Sequence, residues 1–266
     1  MGKTYYYSDE LNDDFAGTNI RAIKTPDDYP YFTKNPIRRG VVAFFYHGFV
    51  LPLVYLLQKI VYAERIVGRK KLRGYRKEGF FLYGNHTRAM GDAFAPGILS
   101  FPKKAFILVS PDTISIPGLR RIVHDLGAVP IPCSLAGSRN FYKAMEKHAE
   151  KKHVVAVYPE AHIWPAYTKI RPFREASFLY PVKENKPVFT FTATYRKRLF
   201  GGAGVTLYVD GPFFPDQTLS QKESQKKLRD EVYEAMVSRS KLSTYEKNEY
   251  IKMEKEEMPE SGKEEV

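Results

Sequence analysis

An α/β fold with a mostly parallel sheet covered by helices is predicted by two features of the sequence. Five apolar runs have the composition of buried strands: Phe80–Tyr83, Ala105–Val109, Val154–Tyr158, Val188–Ala193 and Val205–Val209. Stretches of helical character lie between or beside them: Asp92–Ser100, Pro117–Leu126, Ala136–Glu150 and Arg174–Glu184. Strands that are apolar throughout and are separated by helices are typical of a parallel sheet with both faces buried.

Length and composition agree with such a fold. The chain has 266 residues, of which 43% are hydrophobic, enough for one large domain with terminal additions. Lys and Arg outnumber Asp and Glu by 42 to 30, and the resulting charge of +12 favours polyanionic surroundings. A recognition helix or an aromatic RNA-binding pattern is missing from the sequence, so no nucleic acid is expected as a partner. The single cysteine, Cys133, excludes an internal disulfide and a cysteine-rich zinc site.

Four segments follow one another along the chain. Residues 1–39 form a polar lead-in without an apolar signal region, and residues 40–78 form an apolar and basic segment. Residues 79–241 hold the α/β domain, which closes with an amphipathic helix from about Ser220 to Lys241. Residues 242–266 are rich in Glu and Lys, and we expect disorder from Tyr245 onward.

The apolar run Val41–Leu57 contains 17 residues without formal charge. A helix that spans a bilayer needs about 20 apolar residues. This run is short, contains His47 and is interrupted by Pro52. The sequence therefore predicts a membrane-associating helix that is re-entrant or interfacial, and a buried core helix is the alternative.

Basic residues follow the apolar run closely: Lys59, Arg65, Arg69, Lys70, Lys71, Arg73, Arg76 and Lys77. Anionic head groups attract each such residue by about 1 kcal/mol, and basic residues beside an apolar anchor favour the cytoplasmic face. We therefore expect a protein associated with anionic lipid at the cytoplasmic surface of a membrane.

His86 is the main candidate for chemistry, because it follows the predicted strand Phe80–Tyr83 and stands six residues before Asp92. Loops at the ends of parallel strands are where α/β proteins place their sites. An imidazole can take a proton from a hydroxyl group near neutral pH, and a carboxylate on its other nitrogen fixes the tautomer. The predicted turn at Gly84 is followed by Asn85, which can cap the next helix.

Four short motifs resemble those of the 1-acyl-glycerol-3-phosphate acyltransferase family, the lysophosphatidic acid acyltransferase type. They are Asn85-His86 with Asp92, Leu126-Gly127-Ala128-Val129-Pro130-Ile131, Tyr158-Pro159-Glu160 and Lys186-Pro187-Val188-Phe189-Thr190-Phe191. Their order and spacing agree with the family over residues 79–212, about half of the chain.

The resemblance implies a glycerolipid acyltransferase fold and a phospholipid-forming reaction at a membrane. His86 would be the general base, Asp92 would orient it, and Glu160 would bind the acceptor. The donor would be acyl-CoA or an acyl-carrier protein and the acceptor a lysophospholipid hydroxyl, with no metal, cofactor or acyl-enzyme. Cys133 is then a packed small hydrophobe rather than a nucleophile. A carboxylate that caps the next helix is the alternative for Glu160.

The chain departs from the family pattern in two places. Five residues separate His86 from Asp92 where the family has four, and Gly91 could absorb the extra residue through a bulge or a delayed helix start. The arginines that the family places in its second and third motifs are missing, with Cys133 and Ala161-His162 in that part of the sequence. Replacement forks for the acceptor phosphate could come from Arg88, Arg139, Arg171 and Arg174, and the alternative for each is an ordinary surface arginine. His162 is an optional polar contact to the acceptor.

These departures leave two other functions open. The chain could use the same fold and His86 with a different acceptor, such as an amine lipid, a sugar lipid or another alcohol. It could also be a basic membrane-binding protein without catalytic activity.

Overall fold

The computed structural model describes residues 2–16, 23–115, 118–199, 201–254 and 264–265. The strands are β1 (Thr4–Tyr7), β2 (Arg65–Val67), β3 (Phe80–Gly84), β4 (Ala105–Val109), β5 (Ala128–Pro130), β6 (Val154–Val157), β7 (Val188–Lys197), β8 (Ala203–Phe213), β9 (Glu249–Lys252) and β10 (Glu264–Glu265). The α-helices are α1 (Pro36–Phe45), α2 (Leu51–Tyr62), α3 (Ala89–Ser100), α4 (Arg120–Leu126), α5 (Leu135–Glu150), α6 (Leu179–Lys183) and α7 (Gln221–Ser240).

A seven-stranded sheet in the order β2-β8-β7-β3-β6-β4-β5 forms the centre of the molecule. Strands β7, β3, β6, β4 and β5 are parallel to one another. Strand β8 runs antiparallel to β7, and β2 runs parallel to β8. The predicted α/β class with a mostly parallel sheet is therefore confirmed.

Alternate residues of the central strands enter two cores, one on each face of the sheet. Phe81 and Tyr83 of β3 pack with α5 and α7, whereas Phe80 and Leu82 pack with α3. Every residue of β3 and β6 is buried, as expected for a parallel sheet between two helical layers.

The predicted strands are all present, and β7 and β8 extend beyond them as a long antiparallel hairpin. Strands β2 and β5 were not predicted, because three residues are too few to show a periodic pattern. The predicted helix over Arg174–Glu184 is instead a 3₁₀ turn at Glu175–Phe178 followed by α6. Pro181 lies in α6 and cannot donate the backbone hydrogen bond of a longer helix.

One continuous helix of 27 residues, Pro36–Tyr62, precedes the sheet and is long and apolar enough to cross a membrane. It consists of α1, a π-helical turn at Tyr46–Val50 and α2, so Pro52 does not interrupt it. Large apolar side chains are exposed along it: Ile37, Val41, Phe44, Phe45, Phe49, Leu53, Tyr55, Leu56, Leu57, Ile60 and Val61. The alternative of a buried core helix is therefore wrong.

The two ends of the described chain meet. Strands β1 and β9 pair in parallel, with Tyr5 opposite Tyr250, and β10 pairs antiparallel with β1. The ring of Tyr250 stacks on buried Trp164, with centroids 5.1 Å apart and planes 5° apart. The prediction of disorder from Tyr245 onward is therefore wrong for Glu249–Lys252, because Tyr250 buries part of its ring in an aromatic cluster. Residues 255–263 of the predicted tail lie outside the described residues.

His148 and His153 are in contact at the amino end of β6, where α5 ends and the chain enters this strand. Their Nδ1 atoms are 2.9 Å apart, so one neutral ring donates a hydrogen bond to the other. Burial, and the positive charge that each ring would place beside the other, lower the pKa of His148 to about 3. Burial and the nearby Lys151 lower the pKa of His153 to about 4. Both rings are therefore neutral in the folded protein above pH 5.

This pair is expected to destabilise the fold in mild acid. Because both folded pKa values lie below the ordinary value of 6.5, the unfolded chain binds more protons as pH falls, and stability is lost from about pH 6.5 downward. One ring alone accounts for about 2 kcal/mol between pH 7 and pH 5. Urea unfolding at both pH values should show a pH-dependent loss about 4 kcal/mol larger than in the His148→Gln/His153→Gln variant, because the variant lacks both rings. Equal losses in the two proteins would contradict the interpretation.

Candidate active site

The candidate site lies at the carboxyl ends of β3 and β6, which are neighbours in the sheet. Tyr83 pairs with Val157, so the loops that carry His86 and Glu160 leave the sheet side by side. Asn85 does not cap α3 as predicted. Its side chain donates to the Ala193 carbonyl oxygen at 3.0 Å and accepts from the Ala193 N–H at 2.7 Å. Asn85 therefore fixes the start of the His86 loop against β7.

His86 and Asp92 are in direct contact. The Nδ1 atom of His86 lies 3.0 Å from Asp92 Oδ2, and this side chain of Asp92 is almost fully buried. The backbone N–H groups of Thr87 and Arg88 also donate to Oδ2, each at 2.9 Å. A carboxylate beside Nδ1 favours the tautomer with the proton on Nδ1, which leaves the lone pair of Nε2 as the basic position.

The opposite side of the His86 ring remains accessible. The side chain is 18% exposed, and among the described residues no hydrogen bond occupies Nε2. Tyr158 stacks on the ring, with centroids 4.4 Å apart and planes 21° apart, and its hydroxyl donates to the Asp92 carbonyl oxygen at 2.5 Å. Burial raises the pKa of Tyr158 well above its ordinary value, so the phenol keeps its proton. The ring of His86 is thus held in place while Nε2 can meet a substrate.

The Arg88 side chain points into the protein. Its Nε donates to Asp92 Oδ1 at 3.2 Å, and its Nη1 donates to Glu64 Oε2 at 2.6 Å. The guanidinium is almost fully buried between these two carboxylates. Burial opposes the charge of Arg88, but Asp92 and Glu64 together raise its pKa. This position disfavours direct contact between Arg88 and an acceptor phosphate.

Gly91 lies in a regular helix, because α3 begins at Ala89 and not at Asp92. The predicted bulge or delayed helix start is therefore absent. Gly91 has a different role: a Cβ atom at this position would lie 2.8 Å from Arg88 Cζ and 2.9 Å from Arg88 Nη1. The glycine leaves space for the buried guanidinium.

Glu160 holds the second loop against the first. Its Oε2 accepts from the backbone N–H of His86 at 3.0 Å, and its Oε1 accepts from the backbone N–H of Arg171 at 3.0 Å. The Arg171 side chain is buried, with Nη2 3.6 Å from Glu160 Oε2. Burial raises the pKa of Glu160, opposed by the Arg171 charge and by the two N–H groups. Glu160 therefore does not cap a helix.

The other residues predicted to bind the acceptor differ in their exposure to solvent. Arg171 donates to the carbonyl oxygens of Glu10 and His162, and its burial disfavours contact with an acceptor. His162 is half-buried, with Nδ1 3.7 Å from Asp14 Oδ2. Arg139 and Arg174 are exposed. Their contact with an acceptor stays a prediction.

Cys133 is exposed, so its prediction as a packed hydrophobe is wrong. It follows β5 in the short loop before α5, where no strand or helix covers it.

Sequence reasoning missed the residues that complete the surroundings of the pair. Glu64 and Gln58 precede Arg88 by 24 and 30 positions, and no local pattern connects them. Tyr195 on β7 donates to Thr87 Oγ1 at 2.7 Å, and these two residues are 108 positions apart in the sequence. Only Tyr158 carried a signal, since it directly precedes the Pro-Glu motif.

An open groove of about 530 Å³ lies elsewhere, between residues 29–38 and α4. Its lining includes Arg120, Arg121 and His124, but none of the predicted site residues. The polar contacts around His86, and not this groove, define the candidate site.

The comparison with solved structures shows that the chain has a glycerolipid acyltransferase fold. A solved structure similar to it is the 1-acyl-sn-glycerophosphate (LPA) acyltransferase PlsC from Thermotoga maritima. The TM-score is 0.53 with 18% sequence identity, and the match covers 77% of this chain and 90% of the Thermotoga protein. No family model and no curated protein matches the sequence.

Replacement of Gly91 by Ala is expected to destabilise the protein by about 1–3 kcal/mol, because the added methyl group displaces the buried Arg88 guanidinium. The matched control is Gly74→Ala, since a Cβ at Gly74 meets nothing within 4 Å. Urea unfolding of both variants and the wild type measures the difference. A Gly91→Ala protein as stable as the wild type would show that Arg88 does not need this space.

Proposed function

We propose that this protein is an O-acyltransferase that moves a fatty acyl group from acyl-CoA or an acyl-carrier protein to the hydroxyl of a lysophospholipid such as 1-acyl-glycerol-3-phosphate. The observation that carries the proposal is the contact between His86 Nδ1 and Asp92 Oδ2 in this fold, with Nε2 left accessible. This arrangement suits a general base that acts on an acceptor hydroxyl.

In the proposed reaction, His86 Nε2 removes the proton from the acceptor hydroxyl as its oxygen attacks the thioester carbonyl carbon. The new C–O bond forms, the C–S bond breaks, and the imidazolium returns a proton to the leaving thiolate. Asp92 stabilises the transient positive charge on His86, and its contact at 3.0 Å keeps the proton of the neutral ring on Nδ1. Acyl transfer is direct, so no residue becomes acylated.

The acceptor phosphate is proposed to meet exposed cationic side chains near the same edge of the sheet. Arg174 directly precedes the 3₁₀ turn that is joined to β3 by the Tyr83 hydroxyl, which donates to the Ser177 carbonyl oxygen at 2.8 Å. Arg139 lies in α5, which follows β5 at the carboxyl edge of the sheet. Exposed guanidinium groups suit a phosphate, because their forked donors match its geometry.

A different acceptor is the second candidate, favoured by the missing arginines of the second and third motifs. Cys133 and Ala161 are both exposed and carry no charge. The same base could act on a sugar lipid, an amine lipid or another alcohol.

The helix Pro36–Tyr62 is proposed to lie in the membrane surface. Tyr46, Leu51 and Gln58 are buried against the domain in the second part of the helix, whereas α1 has no buried residue and large apolar side chains are exposed along the whole helix. A helix that packs on the domain over this stretch is suited to insert one face into lipid rather than to cross the bilayer. The basic residues after it would attract anionic head groups on the cytoplasmic side.

The catalytic proposal predicts that His86→Ala lowers turnover by about 10²–10⁴-fold while the protein still folds, because Asp92 keeps its hydrogen bonds from two backbone N–H groups and from Arg88. The assay measures thiol release from acyl-CoA with a panel of lysophospholipids, sugar lipids and amine lipids, and mass spectrometry identifies the product. Cys133→Ala serves as a control and should retain activity, because the exposed thiol has no role in direct transfer.

Folded His86→Ala protein that transfers acyl groups at the wild-type rate would contradict the proposed base. Activity only with a non-phosphate acceptor would favour the second candidate. Vesicle binding without transfer to any acceptor would favour the non-catalytic alternative.

The membrane proposal predicts that the protein floats with phosphatidylcholine vesicles more strongly when phosphatidylglycerol is included. The Phe44→Glu/Phe49→Glu variant should bind at least about tenfold more weakly, because both exposed rings lie on the apolar face. The matched control, Leu219→Glu/Leu242→Glu, adds the same charge at exposed leucines on either side of α7. Equal flotation of the two variants would exclude this face as the lipid-binding surface.

A further inference from the structure

Arg88 connects the candidate base to the end of the apolar helix. Its guanidinium contacts Asp92 on one side and Glu64 on the other, and Nη1 also lies 3.4 Å from Gln58 Oε1. Gln58 belongs to α2, and Glu64 follows its last turn. All four side chains are buried.

The two oxygens of Asp92 have separate partners. Among the residues that the structure describes, Oδ1 accepts only from the Arg88 side chain, whereas Oδ2 accepts from two backbone N–H groups and from His86. Because Arg88 Nε holds Oδ1, the carboxylate cannot rotate about its last bond without losing a charge-assisted hydrogen bond. Oδ2 is thereby kept towards His86 Nδ1.

The backbone around Glu64 is fixed by the end of α2 and by two side-chain hydrogen bonds. Ala63 adopts a left-handed conformation with φ of 43°, which ends α2 and leads the chain into β2. Arg196 Nη2 donates to the Ala63 carbonyl oxygen at 2.5 Å, and Lys59 Nζ donates to that of Glu64 at 2.6 Å. The carboxylate that receives Arg88 is therefore fixed to both α2 and β7.

We infer that Arg88 is a positioning residue for the proposed reaction, held by Glu64 and Gln58 so that Asp92 presents Oδ2 to His86. The inference rests on the proposed function for its catalytic consequence, but the arrangement of the four side chains can be tested without turnover. In this role Arg88 sets the His86 tautomer and does not touch the substrate.

The test compares Arg88→Lys and Glu64→Gln with the wild type. A lysine keeps the buried positive charge but has no planar fork, so it cannot hold Asp92 and Glu64 together. A glutamine at position 64 keeps an acceptor for Arg88 but removes the charge. Glu150→Gln is the control, since it makes the same change at an exposed position of α5 far from the site.

Two measurements are made on each folded variant. Nitrogen-15 NMR of the His86 ring reports which nitrogen carries the proton in the neutral form. Thiol release from acyl-CoA with the best acceptor of the panel gives kcat and KM separately.

We expect the wild type and Glu150→Gln to show the Nδ1–H tautomer. Arg88→Lys should show a mixture of tautomers, with kcat lowered about 10- to 100-fold and KM changed less than about twofold. Glu64→Gln should show a tautomer mixture and a kcat between those of the wild type and of Arg88→Lys. It also provides a second variant if Arg88→Lys does not fold.

An unchanged tautomer in the folded variants would overturn the inference, whatever their activity. A raised KM with unchanged kcat would also overturn it and would assign Arg88 to acceptor binding. If the wild type transfers no acyl group, the proposed function fails while the tautomer measurement still decides the positioning role.

Discussion

The buried carboxylate of Asp92 is the constraint on which the rest of the site depends. Removing a carboxylate from water is costly unless hydrogen bonds and an opposite charge replace the solvent. Asp92 meets this requirement with two backbone N–H groups, His86 and Arg88. Arg88 is itself buried, and the carboxylate of Glu64, which follows the end of α2, forms a second ion pair with its guanidinium. The buried charge of Asp92 thus connects three segments of the chain: the His86 loop, α3 and the end of α2.

Glu160 is a second buried carboxylate, on the neighbouring loop, and it too is compensated by backbone N–H groups. Its two oxygens accept backbone N–H groups from His86 and Arg171, which joins the loops that follow β3 and β6. The sheet places these loops side by side, and the carboxylate fixes their separation. The position of the His86 ring therefore results from sheet register combined with buried polar contacts, and not from the sequence spacing of His86 and Asp92.

Much of the fold could be predicted from the sequence, because long apolar strands such as Ala105–Val109 carry a strong local signal. Strand β9 could not, since Glu249 and Lys252 are polar and the strand depends on the contact between Tyr250 and Trp164. The motifs indicated His86, Asp92 and Glu160 as a group. They could not show that Arg88 faces inward, because its partner Glu64 lies in another segment and pairs with it only in three dimensions.

The parallel pairing of β1 with β9 also orders the events of synthesis. Thr4–Tyr7 leaves the ribosome well before its partner Glu249–Lys252, which follows all seven strands of the central sheet in the sequence. The aromatic cluster around Trp164 cannot close until then, although the sheet and the His86 loop can already form. Trp164 donates its backbone N–H to the His86 carbonyl oxygen at 3.1 Å, so the residue on which Tyr250 stacks also supports the His86 loop. A nascent chain that stalls before residue 249 would therefore hold the strands of the sheet but leave Trp164, behind the candidate site, without the ring of Tyr250 and open to chaperones and proteases.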